Sequence, residues 1–468
     1  MQDTKRGTLW IGPLLAVSLA AGCQVSPGLV QETSSTGMAP SGSAYRIAAK
    51  GAQRYVVTFA LEKIPSDFAA TVAGAGGTLL HCLDGMGVAL VVSDQASFAS
   101  RLAKVGGVES VEASTRQGLV QKAYAAGFDP SVEAPDPTGA SGEPLSGYQW
   151  GLDSIHAPEA WDRGYTGRGV RVAVLDTGVD DQNPDLAPNL DRRRSTSFVG
   201  EEPTFVDYNG HGSHVAGIIA AARNGYGVTG VAPAASIIAV KVMGADGWGD
   251  DFGILQGIKY AADQGAQVIN MSLTSLGEDR PTIKAYRHAA RYAKKKGSII
   301  VAAVGNGGMS GKDIDPALLP AELDGVIAVS AVGPQNQQDF DAFALYSNYG
   351  RNLVDIAAPG GGIGFDPATF TPVIHTKRDL VLSTWSTQAR SYSEGGFDFQ
   401  AAPHMFLAGT SMATPHVSGV LALMLQSKPR LSGAEARRAV LNSADDLGPR
   451  GRDAYYGAGR VNALRAIQ

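Results

Sequence analysis

Cysteine is scarce in this chain, since its only two cysteines are Cys23 and Cys82 and none lies further along. The stability of the region beyond them therefore does not depend on disulfides. The chain also has no excess of positive charge, since its formal net charge is −5 and no block of basic residues occurs. Nucleic acid is therefore not expected as a partner. The apolar stretch from Leu9 to Ala21 is too short to span a bilayer as a stable anchor.

That apolar stretch follows Lys5 and Arg6, a pattern that predicts an export signal over residues 1–23. The small residues that end it precede Cys23, as in a bacterial lipoprotein signal, which implies that Cys23 is lipidated and becomes the new N-terminus. The alternative is ordinary signal cleavage near Ala20 or Ala21. Residues 24–44 are rich in Ser, Gly and Pro and predict a flexible tether. The chain is expected to be exported, either as an envelope lipoprotein precursor or as a secreted protein.

The most informative segment is Gly409-Thr-Ser-Met-Ala-Thr-Pro-His-Val417, which places Ser411 on a glycine-flanked turn. The apolar run that follows, Val417 to Leu425, predicts a buried helix. A serine at a helix start has an exposed hydroxyl, and negative charge is favoured beside its amide. Acyl transfer needs this arrangement, because the nucleophile and the oxyanion donor must both lie about 3 Å from one carbonyl.

Two upstream segments carry an acid and an imidazole. The β-branched run from Val170 to Leu175 predicts a strand of a parallel sheet, and Asp176 stands at its carboxyl end, where sites form in open α/β sheets. His211 stands between two glycines at the start of a predicted helix. The chain order Asp, His, Ser is one of the known orders of a catalytic triad on an α/β scaffold.

With these three motifs the chain resembles the subtilisin-like serine proteases, the subtilase family, from about Tyr148 to the C-terminus. The resemblance implies a three-layer α/β/α domain with a mainly parallel sheet over residues 148–468. It also implies an endopeptidase in which Ser411 attacks, His211 transfers the proton and Asp176 orients the imidazole. Asn306, which follows a predicted strand, is implied as the side-chain donor to the oxyanion.

Other interpretations remain open for the single residues. A lone serine in a glycine turn is usually a helix cap, and a lone aspartate at a strand end is often structural. His211 and His214 are three residues apart and could bind zinc, although no HExxH motif occurs. His214 and His416 are otherwise expected to be packing histidines. A non-catalytic scaffold and an esterase are the competing functions, and degenerate members of the family usually lose a residue that this chain keeps.

Residues 45–115 predict the order βαββαβ of a small ferredoxin-like domain, with helices over Pro65–Ala73 and Ala96–Val105. In this position the domain resembles the inhibitory propeptide of subtilases, and the alternative is a generic adaptor domain. Residues 116–147 lack periodicity and predict a linker that contains the maturation site. A self-processed enzyme would therefore have its own propeptide as inhibitor, protein or peptide substrates, no membrane contact except through a lipid on Cys23, and a monomeric state.

The resemblance also implies a substrate cleft. Its non-primed side and one wall of the P1 pocket are assigned to Ser272, Leu273 and Thr274, and the opposite wall to Ala303 and Gly305. A second segment is expected to pair with an extended peptide and consists of Gly247, Trp248 and Gly249. Thr274 stands where glycine is usual and Trp248 is bulky, so both are expected to narrow the cleft and to favour small or apolar P1 residues.

Two further expectations concern structure around the site. Asp185 and Asn224 match ligand positions of a structural calcium ion, whose oxygen ligands would be completed by loop carbonyls; the alternative is a polar loop with capping side chains. No organic cofactor is expected. The segment between Pro359 and Gly409 is longer than in compact family members and rich in aromatic residues, which predicts either a surface loop with its own cluster or a wall of the cleft.

Overall fold

The computed structural model describes residues 52–119, 124–127, 135–274, 283–312, 318–365, 371–394 and 397–468. The predicted export signal, the tether and Cys23 lie outside these ranges. Within the described ranges, no helix combines the length and the apolar character that crossing a membrane requires.

The N-terminal unit has the βαββαβ order that the sequence predicts, and its strands pair antiparallel in the order β2-β3-β1-β4. Both helices are shorter than predicted, because the residues at their ends form i→i+3 turns, such as Phe68 N–H to the Pro65 carbonyl (3.1 Å) and Val105 N–H to the Leu102 carbonyl (3.0 Å). The elements are β1 (Gln53–Phe59), α1 (Phe68–Gly74), β2 (Thr78–Leu83), β3 (Val88–Ser93), α2 (Phe98–Leu102) and β4 (Val108–Ala113), followed by β5 (Arg116–Leu119) and β6 (Tyr124–Gly127).

The rest of the chain alternates strands and helices. Its elements are α3 (Trp150–Ser154), α4 (Ala157–Asp162), β7 (Arg171–Asp176), β8 (Thr196–Ser197), α5 (His211–Ala220), β9 (Ser236–Lys241), β10 (Trp248–Asp250), α6 (Asp251–Asp263), β11 (Val268–Met271), β12 (Leu273–Thr274), α7 (Ile283–Lys295), β13 (Ile299–Ala303), β14 (Ile327–Val332), β15 (Ile356–Pro359), β16 (Gly364–Phe365), β17 (Pro372–Val373), β18 (Val381–Thr384), β19 (Tyr392–Glu394), β20 (Phe397–Phe399), β21 (His404–Ala408), α8 (Thr410–Ser427), α9 (Gly433–Asn442) and α10 (Ala463–Ile467).

A seven-stranded sheet with the order β15-β14-β13-β11-β7-β9-β8 forms the centre of this domain, and all its strand pairs are parallel. Strands β8 and β9, which follow β7 in the chain, lie on one side of it. Strand β11, which comes next in this sheet, lies on the other side of β7. The carboxyl ends of β7 and β11 therefore meet at a topological switch point, where ligands bind in sheets of this kind. The predicted fold class is confirmed.

Both faces of the sheet are buried. Along β7, Val172 and Val174 pack in one core with residues of α5 and α8, whereas Ala173 and Leu175 pack in a second core with residues of α6 and α7. Because side chains alternate along a strand, this division produces the three-layer arrangement and explains why the sequence of β7 is continuously apolar.

The segment 116–147 is not the structureless linker that the sequence predicts, because it contributes two strands. β5 pairs antiparallel with both β10 and β12, and β6 pairs antiparallel with β21, which also pairs with β18. The partners of both strands lie more than a hundred residues away, so no local sequence pattern marks these strands.

The N-terminal sheet packs on α6 and α7. Val56, Met86 and Leu90 share a core with Phe252 and Tyr286 of those helices. Charged pairs surround this apolar contact, and four basic or imidazole groups of α7 face two glutamates of the N-terminal unit: Arg291 (2.7 Å) and Lys295 on Glu62, and Lys284 (3.7 Å) and His288 (3.3 Å) on Glu109.

Candidate active site

Ser411 is the second residue of α8, directly after the turn that connects β21 to that helix. N–H groups of a first helical turn have no intrahelical acceptor, so the Ser411 amide is available to an incoming oxyanion. The Ser411 hydroxyl is buried and donates to the Ser272 carbonyl (3.2 Å), while the Ser272 hydroxyl donates to the Ser411 carbonyl (2.9 Å). This reciprocal pair attaches the nucleophile turn to the end of β11.

The imidazole and the carboxylate meet at the switch point. His211 Nδ1 lies 2.9 Å from Asp176 Oδ1, and both side chains are buried. With Nδ1–H donating to the carboxylate, Nε2 carries the lone pair that a general base requires. The second hydrogen bond to Asp176 Oδ1, from the Thr177 N–H (2.8 Å), fixes the orientation of the carboxylate.

Sequence reasoning missed Asp207, which holds the acid and the imidazole segments together. This fully buried carboxylate accepts from the Thr177 hydroxyl (2.9 Å), the Gly210 N–H (2.8 Å) and the Ser213 N–H (2.8 Å) and hydroxyl (2.7 Å). The Thr177 hydroxyl accepts in turn from an N–H of the first turn of α5. An aspartate four residues before a predicted helix start was the available signal, since carboxylates favour helix N-termini.

Asn306 follows β13 and lies beside the nucleophile turn. Its Oδ1 accepts from the Thr410 N–H (2.8 Å) and hydroxyl (2.9 Å), whereas its Nδ2 is buried and has no hydrogen-bond partner among the residues that the structure describes. A buried amide donor without an acceptor is costly. An acceptor that arises only during the reaction would remove this cost, which is the property of an oxyanion donor.

Asn348, also missed from the sequence, fixes the loop that carries Asn306. Its Nδ2 donates to the Val304 carbonyl (2.8 Å), and its Oδ1 accepts from the N–H groups of Gly307 (3.1 Å) and Met309 (3.0 Å). The side chain thus ties the residues on both sides of Asn306 to one buried amide.

The predicted cleft residues lie on two facing segments. Leu273 and Thr274 form β12 directly after Ser272, and a methyl group of Thr274 lies 3.9 Å from where a side chain at Gly305 would begin. Ala303 ends β13 on that opposite wall. Thr274 and Gly305 are therefore close neighbours across the two segments.

The other predicted peptide-binding segment lies on β10, which includes Trp248 and Gly249 and follows Gly247. Strand β5 of the same chain runs between β10 and β12, with Gly118 opposite both Trp248 and Thr274. An extended segment of the chain itself therefore occupies the place predicted for a substrate.

The two predicted calcium ligands lie near each other but are used differently. Asp185 is buried, and its Oδ2 accepts from the Val228 N–H (3.0 Å) and faces His404 Nε2 (3.3 Å). Its Oδ1 has no hydrogen-bond partner among the described residues. Asn224 is exposed and its amide oxygen accepts from an N–H of its own loop. Glu143, which was not predicted, accepts from the Gly225 N–H (2.8 Å) of the same loop.

The two histidines expected to pack do so. His214 Nε2 contacts the Met405 carbonyl (3.0 Å) and His416 Nδ1 contacts the Met412 carbonyl (2.8 Å). Burial lowers the pKa of His214 to about 3 and that of His416 to about 4, so both are neutral at pH 7. Neither joins a group of three or more His, Cys, Asp or Glu side chains suited to a metal within the described ranges.

The long segment between Pro359 and Gly409 matches neither prediction fully. Trp385 is buried, stacks on Phe399 (5.8 Å between ring centroids) and meets His214 edge-on (6.3 Å). A side chain at Gly210 would lie only 2.1 Å from the Trp385 ring. The segment therefore belongs to the core that supports α5.

Comparison with known proteins agrees with this geometry. A family model described as the subtilase family matches residues 167–459. The chain is 38% identical to subtilisin BL from Lederbergia lenta over 319 residues, which cover 68% of this chain and 98% of that protein. It is 37% identical to thermitase from Thermoactinomyces vulgaris over 326 residues, 69% of this chain and 97% of that protein.

Two solved structures share the fold. Fervidolysin from Fervidobacterium pennivorans, a keratinolytic enzyme, superposes with a TM-score of 0.68 at 25% identity over 89% of this chain, which spans 61% of fervidolysin. The epidermin leader peptide processing protease from Staphylococcus aureus superposes with a TM-score of 0.66 at 24% identity, over 89% of this chain and 98% of that one. With the family model covering more than half of its length, the chain belongs to the subtilase family of serine endopeptidases.

Proposed function

We propose that the protein is an exported endopeptidase that cleaves peptide bonds through an acyl-enzyme and matures by cutting its own chain. Ser411 attacks the carbonyl, His211 takes the proton and returns it to the leaving amine, and Asp176 stabilises the imidazolium. The buried Nδ2 of Asn306, which has no partner within the described part of the chain, is the observation that supports a working site most directly.

Self-processing is supported by the position of β5. Leu119 lies opposite Leu273, next to Ser272, whereas Tyr124 lies opposite Ala408, three residues before Ser411. The described residues on either side of positions 120–123 therefore pair with segments that flank Ser411 along the chain. We place the maturation cut within residues 120–123, which narrows the range 116–147 that the sequence predicts.

The N-terminal unit would then act as the inhibitor. It covers α6 and α7 with an apolar face and delivers β5 into the cleft, so a cut after β5 leaves it bound non-covalently. Glu62 and Glu109 add charged contacts to α7, which salt would weaken. If Cys23 carries a lipid, the anchor stays with this unit, and the mature protease is either held to it non-covalently or released. A monomer suffices for the whole scheme.

We expect a serine-specific phosphonylating reagent to label the self-processed enzyme stoichiometrically at Ser411 and to abolish hydrolysis of casein. A hydroxyl activated by a neighbouring imidazole reacts with such a reagent, whereas other serines do not. Peptide mapping by mass spectrometry identifies the labelled residue. Label on another serine, or hydrolysis that survives full labelling, would contradict the proposed mechanism.

The calcium proposal rests on charge. Burial raises the pKa of Asp185. Burial and the nearby Asp185 charge raise the pKa of Glu143. Two carboxylates therefore share a poorly solvated region. The partnerless Oδ1 of Asp185 fits a hard cation. Since the described residues offer no cluster of three or more acidic, Cys or His ligands, carbonyl and amide oxygens such as that of Asn224 would complete the shell.

Removing calcium with a chelator is expected to lower the melting temperature. At a calcium concentration about 100 times the Kd, binding adds about 2.7 kcal/mol, and each kcal/mol corresponds to roughly 2–4 °C in a domain of this size class. Calorimetry with and without chelator measures the shift. Asp185→Asn should lose the response and the exposed control Asp324→Asn should keep it. An identical melting temperature with and without chelator in the unmodified protein would refute the site.

A further inference from the structure

A cavity of about 460 Å³ opens on the outer side of β10, away from the nucleophile. Its charged lining consists of four carboxylates and two guanidinium groups, which belong to Glu201, Glu202, Asp246, Asp250, Arg54 and Arg390. Arg54 belongs to β1 of the N-terminal unit, whereas the other five residues belong to the catalytic domain. The lining of the cavity would therefore change when maturation separates the two.

Arg54 forms an ion pair with Asp250, in which Arg54 Nη1 lies 3.7 Å from Asp250 Oδ2. Both side chains are half-buried. Glu202 already has cations of its own domain, since Lys241 Nζ lies at 2.9 Å and Arg390 at 3.8 Å. When the N-terminal unit leaves, the lining keeps four carboxylates and one guanidinium group. The guanidinium group that is lost is the one beside Asp250.

The strand register brings substrate to the same carboxylate. In the ladder between β5 and β10, Asp250 lies opposite Arg116, three residues before Leu119. Residues directly opposite each other in an antiparallel pair have Cβ atoms about 4.5–5.5 Å apart and share one face. A peptide that takes the place of β5 therefore presents one side chain next to Asp250.

The local electrostatics favour a cation there. Burial raises the pKa of Asp250, while the Gly253 N–H and the Arg54 guanidinium lower it. A partly desolvated carboxylate gains more from a charge-assisted hydrogen bond than an exposed one does. Without Arg54, a substrate guanidinium or ammonium group can restore the lost contact.

We propose that the mature protease prefers substrates with arginine or lysine at the position that aligns with Asp250, three residues before the residue opposite Leu273. The inference rests on the proposed peptidase function and adds a selectivity at a position of the substrate other than P1. The chain itself carries arginine at this position, so its own maturation segment is a substrate of the preferred kind.

The test uses self-processed enzyme and internally quenched peptides that span residues 112–127. One peptide has the natural sequence and three carry Arg116→Lys, Arg116→Ala or Arg116→Glu. We expect kcat/KM for the Arg and Lys peptides to exceed that of the Ala peptide about tenfold, which corresponds to about 1.4 kcal/mol, and the Glu peptide to be the poorest. The preference should shrink as NaCl rises to 0.5 M, a level chosen to screen the pair.

Asp250→Asn should bring the Arg-to-Ala ratio close to one, and the amide can still accept from the Gly253 N–H (2.8 Å) as cap of α6. The exposed control Asp324→Asn should keep the ratio. Equal rates for the Arg and Ala peptides with unmodified enzyme, or a preference that neither salt nor Asp250→Asn reduces, would overturn the inference. Failure to cleave any of the peptides would instead contradict the proposed function.

Discussion

Replacing Ser411 with alanine is expected to leave the chain uncut, whereas the unmodified protein acquires a new N-terminus within residues 120–123. The substitution removes the hydroxyl that attacks the carbonyl but leaves α8 and the contacts of β5 unchanged. Loss of the nucleophile should lower turnover about 10⁶-fold, the size of the loss in a subtilisin. Mass spectrometry of the purified proteins locates every N-terminus.

Ser427→Ala is the matched control, because Ser427 lies at the far end of the same helix and its hydroxyl donates to the Ile467 carbonyl (2.8 Å). It should process normally. If the Ser411→Ala protein were cut at the same bond and rate, another protease would be responsible, and β5 would be a substrate of that enzyme rather than of its own domain.

Asn306→Ala is expected to lower kcat by about 10²–10³-fold with little change in KM, the loss that follows removal of one oxyanion donor. Since Nδ2 has no partner among the described residues, its hydrogen bond is expected to form when the carbonyl oxygen becomes negative. Steady-state kinetics with one peptide separates kcat from KM, and calorimetry monitors folding.

The matched control is Asn189→Ala, which removes an amide that donates to the Ala220 (2.9 Å) and Pro233 (2.8 Å) carbonyls away from the site. It should lower the melting temperature and leave kcat within a factor of two or three, roughly the effect of a modest repositioning. A kcat for Asn306→Ala in that same range would mean that the side chain serves only to hold Thr410.

The residues proposed to carry out the chemistry could be chosen from the sequence because each stands in a short motif whose residue types have a physical reason. Asp176 ends an apolar strand, and His211 and Ser411 begin helices beside glycines. A parallel sheet brings such ends to one edge, so three local patterns give one site. The geometry of this site follows from the order of the strands.

The supporting residues were not predictable, because their importance lies in partners far along the chain. Asp207 and Asn348 stand in loops without a motif, and each is distinguished only by converging backbone N–H groups. Strands β5 and β6 were not predicted for the same reason. A strand that pairs with distant strands at a sheet edge does not need a sequence that alternates between apolar and polar residues. The proposed calcium ligands were chosen by resemblance, which did not reveal Glu143 or the approach of His404 to Asp185.

Gly210, which precedes His211, contacts the ring of Trp385 in the long segment between Pro359 and Gly409. The indole fills the volume that a β-carbon before His211 would need, so neither position can vary alone. Deleting the part of the long segment that contains Trp385 would leave a cavity of indole size beside the first turn of α5. His211 would then be held less rigidly. The long segment therefore supports the position of the His211 imidazole.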